Sequence, residues 1–256
     1  MYYLCVGHSH LGAIKFCYIN GKPFGKFDDI ELEFIDLHGV ASFEYYHSSP
    51  EELGAPLREA FEMVEVARGG PPAAVFMLVG GSVQHSISML NHEWPIDVIV
   101  PWEPRAPLTE GATLIPFRML EKLLIEQSSW KFNLLTLSAK HFSCPKYFFQ
   151  APPPIASEDH LRKYPGPQFQ PLVEERGFSP IAFRRKIAEM HTRLYMARCE
   201  AAGITFLAPP TKGLDDDGCL ALEAAAPDSI HASVVYGEYL IDQIRAIRNQ
   251  AAEAAA

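Results

Sequence analysis

A serine near one end of this chain and an aspartate–histidine pair near the other are the residue types that nucleophilic hydrolysis needs. Ser9 stands in Gly7-His8-Ser9-His10, directly after the apolar run Tyr2-Tyr3-Leu4-Cys5-Val6, and Asp228-Ser229-Ile230-His231 precedes the last helical pattern. A serine hydroxyl is a poor nucleophile until a base takes its proton, and an imidazole hydrogen-bonded to a carboxylate is held in the tautomer that can do so. Three-residue spacing lets Asp228 and His231 converge from one turn, with His231 toward Ser9 and Asp228 behind it. The chain order Ser…Asp…His is one in which such triads occur. Taken singly, each half has a plainer reading. A serine after glycine is an ordinary helix N-cap, and Asp228 could cap the last helix while His231 packs.

The elements that must position these residues read as strand–helix–strand units. Short apolar runs at 2–6, 32–37, 74–79, 147–150 and 204–207 each end in glycine or proline, as strands of a parallel sheet do at their turns. Between them, 50–68 predicts a helix starting at Ser49-Pro50-Glu51-Glu52, with Leu53, Leu57, Phe61 and Val64 on one face. The longest helical pattern is 179–202, where Ile187, Met190, Leu194 and Ala201 are expected to face the sheet and Arg184, Arg185, Lys186, Arg193 and Arg198 to stay wet, with Gly203 as the stop. A last helix over 232–250 is expected to bury Val235, Tyr239, Ile241 and Ile244. These elements predict one α/β domain over 1–250, a flavodoxin-like three-layer sandwich with a five-stranded parallel sheet in the order 2-1-3-4-5, and a tail over 251–256. The irregular stretches 93–107 and 155–180 are expected at the carboxyl edge of the sheet, where α/β proteins build pockets.

On these residues the chain resembles the SGNH/GDSL hydrolase superfamily. Gly7-His8-Ser9-His10-Leu11 matches the first block, Gly39 in Asp36-Leu37-His38-Gly39-Val40 the second, Gly80-Gly81-Ser82-Val83 the third, and Asp228-Ser229-Ile230-His231 the last, in the family's order and each beside a predicted strand or helix end. Two positions depart: His8 replaces the usual aspartate, and Ser82 the usual asparagine. The histidine variant is similar to a bacterial branch of GDSL-like proteins. The resemblance implies a serine esterase acting through an acyl-enzyme, with Ser9, Asp228 and His231 as catalytic triad and Ser9, Gly39 and Ser82 around the oxyanion. It suggests a carbohydrate O-acyl ester or another small acyl ester as substrate. Acyl transfer to a sugar hydroxyl, or glycan binding without catalysis, are the alternatives on the same fold. His8, His10, Gln84, His85 and Trp94 are the candidates for the substrate pocket.

Other chemistry finds less support. A zinc set drawn from His8, His10, His85 and His231 lacks any ligand spacing that would complete it, and Gly80-Gly81-Ser82 lacks the lysine of a phosphate-binding loop, so no metal and no cofactor are expected. Trp94 and Trp102 could stack on a sugar ring or anchor the proline-rich loop. With 22 basic against 31 acidic residues and a net charge of −9, no nucleic-acid or anionic-membrane partner is expected. The five cysteines show no CxxC pairing and are expected as reduced thiols. The absence of a leader-like or membrane-spanning run points to a cytoplasmic protein.

Overall fold

A computed structural model describes residues 1–37, 47–49 and 51–255. Five strands, β1 (Tyr3–Gly7), β2 (Leu32–Asp36), β3 (Ala74–Leu78), β4 (Lys146–Phe149) and β5 (Thr205–Leu207), form one sheet in the order β2-β1-β3-β4-β5, with every neighbouring pair parallel. This is the expected flavodoxin-like order. Every residue of β1 and β3 is buried, as strands covered on both faces must be.

Among the described residues the α-helices are α1 (Leu11–Gly21), α2 (Ala55–Arg68), α3 (Ser82–Ser88), α4 (Phe117–His141), α5 (Glu158–Lys163), α6 (Gln170–Arg176), α7 (Ile181–Ala202) and α8 (Val234–Ala255). Strand alternation divides them between two layers. Tyr3, Cys5, Phe76 and Leu78 pack under Ile14 and Cys17 of α1 and Tyr236, Leu240 and Ile241 of α8. Leu4, Val6, Val75 and Met77 pack under Leu57 and Phe61 of α2, Phe132 and Leu135 of α4, and Tyr195 and Cys199 of α7.

Several expectations are corrected. Helix α2 begins at Ala55 behind Gly54, not at Pro50, because Glu52–Leu53 pairs antiparallel with His47–Ser49; Pro50 itself lies outside the described residues. The longest helix is α4, for which no helix had been expected. Its buried Ser128, Lys131 and Ser138 interrupt the apolar period, and its two halves serve different clusters: Leu120 and Leu124 one, Phe132 to Leu137 another. On α7, Arg184 and Lys186 are buried, not wet, while Ala201 is exposed. Arg184 donates to the carbonyls of Ser179 (3.0 Å) and Ile155 (2.6 Å), and Lys186 Nζ lies 2.9 Å from Asp97 Oδ1 and 2.8 Å from the carbonyl of Pro107. Their charges are spent on the irregular segments that cross this face. In α8 the core residues are Tyr236, Leu240, Ile241 and Ile244, with Val235 exposed and Tyr239 only half-buried, a rotation of the face by one residue at its start. The expected tail continues α8 as far as Ala255. Among the described residues, no helix is long and apolar enough to cross a membrane.

Candidate active site

β1 delivers Ser9 to the carboxyl edge of the sheet through a turn that leaves no room for side chains at its start. A Cβ on Gly7 would stand 2.7 Å from the Leu78 carbonyl oxygen. The His8 N–H donates to that same carbonyl at 3.2 Å, and the carbonyls of His8 and Ser9 accept from the N–H groups of Leu11 (2.8 Å) and Gly12 (3.0 Å). The N-cap of α1 is His10, and no side chain makes a capping bond there. Ser9 is therefore not spent as a cap.

At the other end of the chain, Asp228 and His231 form a compact unit ahead of α8. Asp228 Oδ1 accepts from the N–H groups of Ile230 (2.8 Å) and His231 (2.7 Å), and Oδ2 lies 2.9 Å from His231 Nδ1. Burial alone would raise the Asp228 pKa, but the hydrogen bonds from the His231 ring and from these two amides outweigh it and hold the carboxyl at about 2. An ionised carboxylate only accepts, so His231 Nδ1 carries a proton, which in the neutral imidazole leaves the lone pair on Nε2. Nε2 is buried and makes no hydrogen bond among the described residues. Ser233, not Asp228, serves the α8 N-terminus, its Oγ accepting from the Val235 N–H at 3.2 Å. The loop is braced from α5. His160 Nε2 lies 3.1 Å from the Ala226 carbonyl and 3.0 Å from that of Asp228, and Ser229 Oγ donates to the Pro165 carbonyl at 2.8 Å.

Ser9, Asp228 and His231 line one cleft of about 550 Å³, between the start of α1 and the loop leading into α8. His8 also lines it, with its ring edge-on to Trp130 at 5.2 Å between centroids. The other expected pocket residues do not. His10 is buried behind His231, its ring centroid 5.1 Å from that ring, and its Nε2 side presses on Gly81, where φ of +101° and the nearness of His10 and Ala151 Cβ exclude a side chain. Gln84 and His85 are buried on α3, and Trp94 is 57% exposed and does not line the cleft. Gly39 and His38 lie outside the described residues. Ser82 opens α3 directly after β3 and the Gly80-Gly81 turn, which places its backbone at the same edge of the sheet; its side chain lies outside the description.

Behind the cleft lies a layer of titratable groups that sequence reading had not joined. His191 of α7 holds Gln84 and Ser128 together, with Nδ1 3.1 Å from Gln84 Oε1 and Nε2 3.0 Å from Ser128 Oγ. The amide oxygen accepts, so Nδ1 donates and Nε2 accepts a hydrogen bond from the Ser128 hydroxyl. Burial, followed by the nearness of the His231 ring, which disfavours two protonated imidazoles side by side, drives the pKa of His85 down to about 3 and that of His10 well below the usual histidine range. Burial and then Lys131 bring His191 to about 3. Lys131 of α4 is itself lowered by burial to about 8. No local motif announces His191, Ser128 or Lys131, since each stands alone on a helix face and only packing brings them together. Among the described residues, no three His, Cys, Asp or Glu side chains are grouped to hold a metal.

No protein-family profile matches the chain, and no curated protein matches it by sequence. Solved structures do resemble it. A GDSL-like lipase from Bacteroides thetaiotaomicron aligns at 14% identity over 100% of this chain and 89% of its own, with a TM-score of 0.44. A carbohydrate acetylesterase from Sinorhizobium meliloti aligns at 14% identity over 96% of this chain and 99% of its own, with a TM-score of 0.41. The native aryl esterase of M. smegmatis aligns at 15% identity over 96% of this chain and 98% of its own, with a TM-score of 0.42. In overall layout the chain is similar to a GDSL-like lipase and to two proteins named as esterases.

Proposed function

We propose that the protein is a serine esterase. The observation that carries this reading is the polarised histidine: Asp228 Oδ2 sits 2.9 Å from His231 Nδ1, and His231 and Ser9 line the same cleft. In the first half-reaction the Ser9 Oγ–H proton passes to His231 Nε2 as Oγ bonds to the ester carbonyl carbon. The tetrahedral intermediate then collapses, the bond to the alcohol oxygen breaks, and His231 returns the proton to that oxygen, leaving acyl-Ser9 and the free alcohol. In the second half water replaces the alcohol, and the same proton transfers release the acid and restore Ser9.

The oxyanion formed in each half needs donors fixed in advance. The backbone N–H of Ser9 and that of Ser82 at the start of α3 are the candidates within the described residues, with Gly39 retained from the family resemblance. His8, Asp36 and Ser233 offer polar groups along the cleft to an alcohol bearing hydroxyls, which supports a sugar as the alcohol half. The test is hydrolysis of p-nitrophenyl acetate and butyrate by wild type, Ser9→Ala and His231→Ala. Loss of turnover in both variants is expected. A wild type no faster than Ser9→Ala overturns the reading, and product formation only with an acceptor alcohol present assigns the same residues to acyl transfer.

A further inference from the structure

The cleft beside Ser9 is chemically lopsided. Beyond the polar residues already named, its wall is made by Gly12, Ala13 and Phe16 of α1 together with Pro227, Ala232 and Val234 at the approach to α8. Phe16 is 54% and Val234 46% exposed, so two large apolar side chains stand in water at the edge of the cleft that holds the nucleophile. The floor between them is cut from small residues. Gly12 and Phe16 are one helical turn apart, and a Cβ added at Gly12 would lie 3.4 Å from the Phe16 ring, so the missing side chain is what opens the space beside that ring.

Charge narrows the occupant further. Among the described lining residues there is no lysine or arginine, whereas Asp36 and Asp228 contribute carboxylates. Asp36 is ion-paired at 2.7 Å with Lys15, which lies outside the lining. An acyl group ending in a carboxylate or phosphate would meet like charge here, and an acetyl group is too short to cover the apolar side chains of Phe16 and Val234. An aliphatic chain would cover Phe16 and Val234.

Resting on the esterase reading above, we propose that the groove between α1 and the start of α8 binds the acyl half of the substrate, and that this half is a neutral aliphatic chain of medium length. Each methylene fully buried in such a groove is worth about fourfold in binding, so even partial burial of a hexanoyl chain gives roughly tenfold or more over acetyl in kcat/KM.

The test compares p-nitrophenyl acetate, hexanoate and hemisuccinate with wild type, Ser9→Ala, Gly12→Leu and Phe16→Ala. Wild type is expected to prefer hexanoate over acetate by about tenfold or more and to discriminate against hemisuccinate. Gly12→Leu, which fills the floor, should bring the hexanoate-to-acetate ratio close to one. Phe16→Ala, a change at an exposed position that the fold tolerates, should lower the ratio through a raised KM for hexanoate and so serves if Gly12→Leu fails to fold. If all esters are cleaved equally by wild type and Ser9→Ala, the esterase reading falls. If cleavage depends on Ser9 but hexanoate is no better than acetate, or the ratio ignores both Gly12→Leu and Phe16→Ala, the acyl groove falls and the esterase stands.

Discussion

Gly237 of α8 lies directly against the main-chain carbonyl of Ala13 in α1, so close that a Cβ at position 237 would overlap the Ala13 oxygen and carbon. Because α1 begins two residues after Ser9 and α8 three residues after His231, this contact sets how near the two halves of the candidate site approach. Gly237→Ala should push the helices apart, cost about 1–3 kcal/mol of stability as overpacked cores do, and lower kcat at temperatures where the variant is still folded. Urea denaturation and ester turnover on the same preparation check both effects.

Asp228 fixes the proton on His231 Nδ1 through the 2.9 Å contact to Oδ2. An amide in its place can present its N–H₂ to Nδ1, which moves the ring proton to Nε2 and removes the base. Asp228→Asn is expected to reduce kcat by about 10⁴-fold with KM little changed, the loss typical of a triad whose tautomer is wrong. Steady-state kinetics beside a thermal melt separates this from unfolding.

His10 supports the site without lining the cleft. Its ring backs His231 and presses on Gly81, so His10→Ala leaves a gap behind both the base and the turn that leads to Ser82. A displacement of about 1 Å at reacting groups can cost up to about 10²-fold in rate, and kcat should fall toward that extent with KM nearly constant. Recovery of most of the activity in His10→Gln, which restores volume, would mark a positioning role.

Acid should destabilise the fold well before carboxylates titrate. His85 and His191 are held near 3 and His10 is also lowered, against 6.5 for the exposed side chain, so below that value the unfolded chain takes up protons that the folded chain refuses. Stability is therefore full above pH about 6.5 and is lost as the pH falls, by about 1.4 kcal/mol per pH unit for each such histidine. Urea denaturation at pH 7.5, 6.0 and 5.0 should show this slope, and His85→Gln should make it shallower by one group's share.

The buried Lys186–Asp97 pair holds the irregular stretch after α3 to α7, since Asp97 also accepts from the N–H groups of Val98 and Thr109, each at 2.7 Å. Lys186→Met should cost about 3–5 kcal/mol because it strands the Asp97 carboxylate in the interior. The pair lies away from the cleft, so the loss should appear in the urea midpoint with little change in KM.

The parts of this protein that local sequence could determine are those whose physics is local. The strands, fully buried in β1 and β3, read as short apolar runs with glycine or proline at their ends, which is why all five strands and their order were legible. The Asp228/His231 unit was legible for the same reason, because a three-residue turn lets one carboxylate serve two backbone amides and the ring. What only the tertiary structure decided is where isolated polar residues end. Arg184 and Lys186 look like a solvated helix face until the segments around Ile155, Asp97 and Pro107 cross over them. Helix α4 hid its period because buried Ser128 and Lys131 break it. His10, Gln84 and His85, expected around the substrate, turned out to lie behind the cleft, and His191 joined them from a distant helix. Burial and hydrogen bonding between distant segments leave no periodic trace in a sequence, so the backing of the site and the apolar groove beside Ser9 appear only once α1 and α8 are packed together.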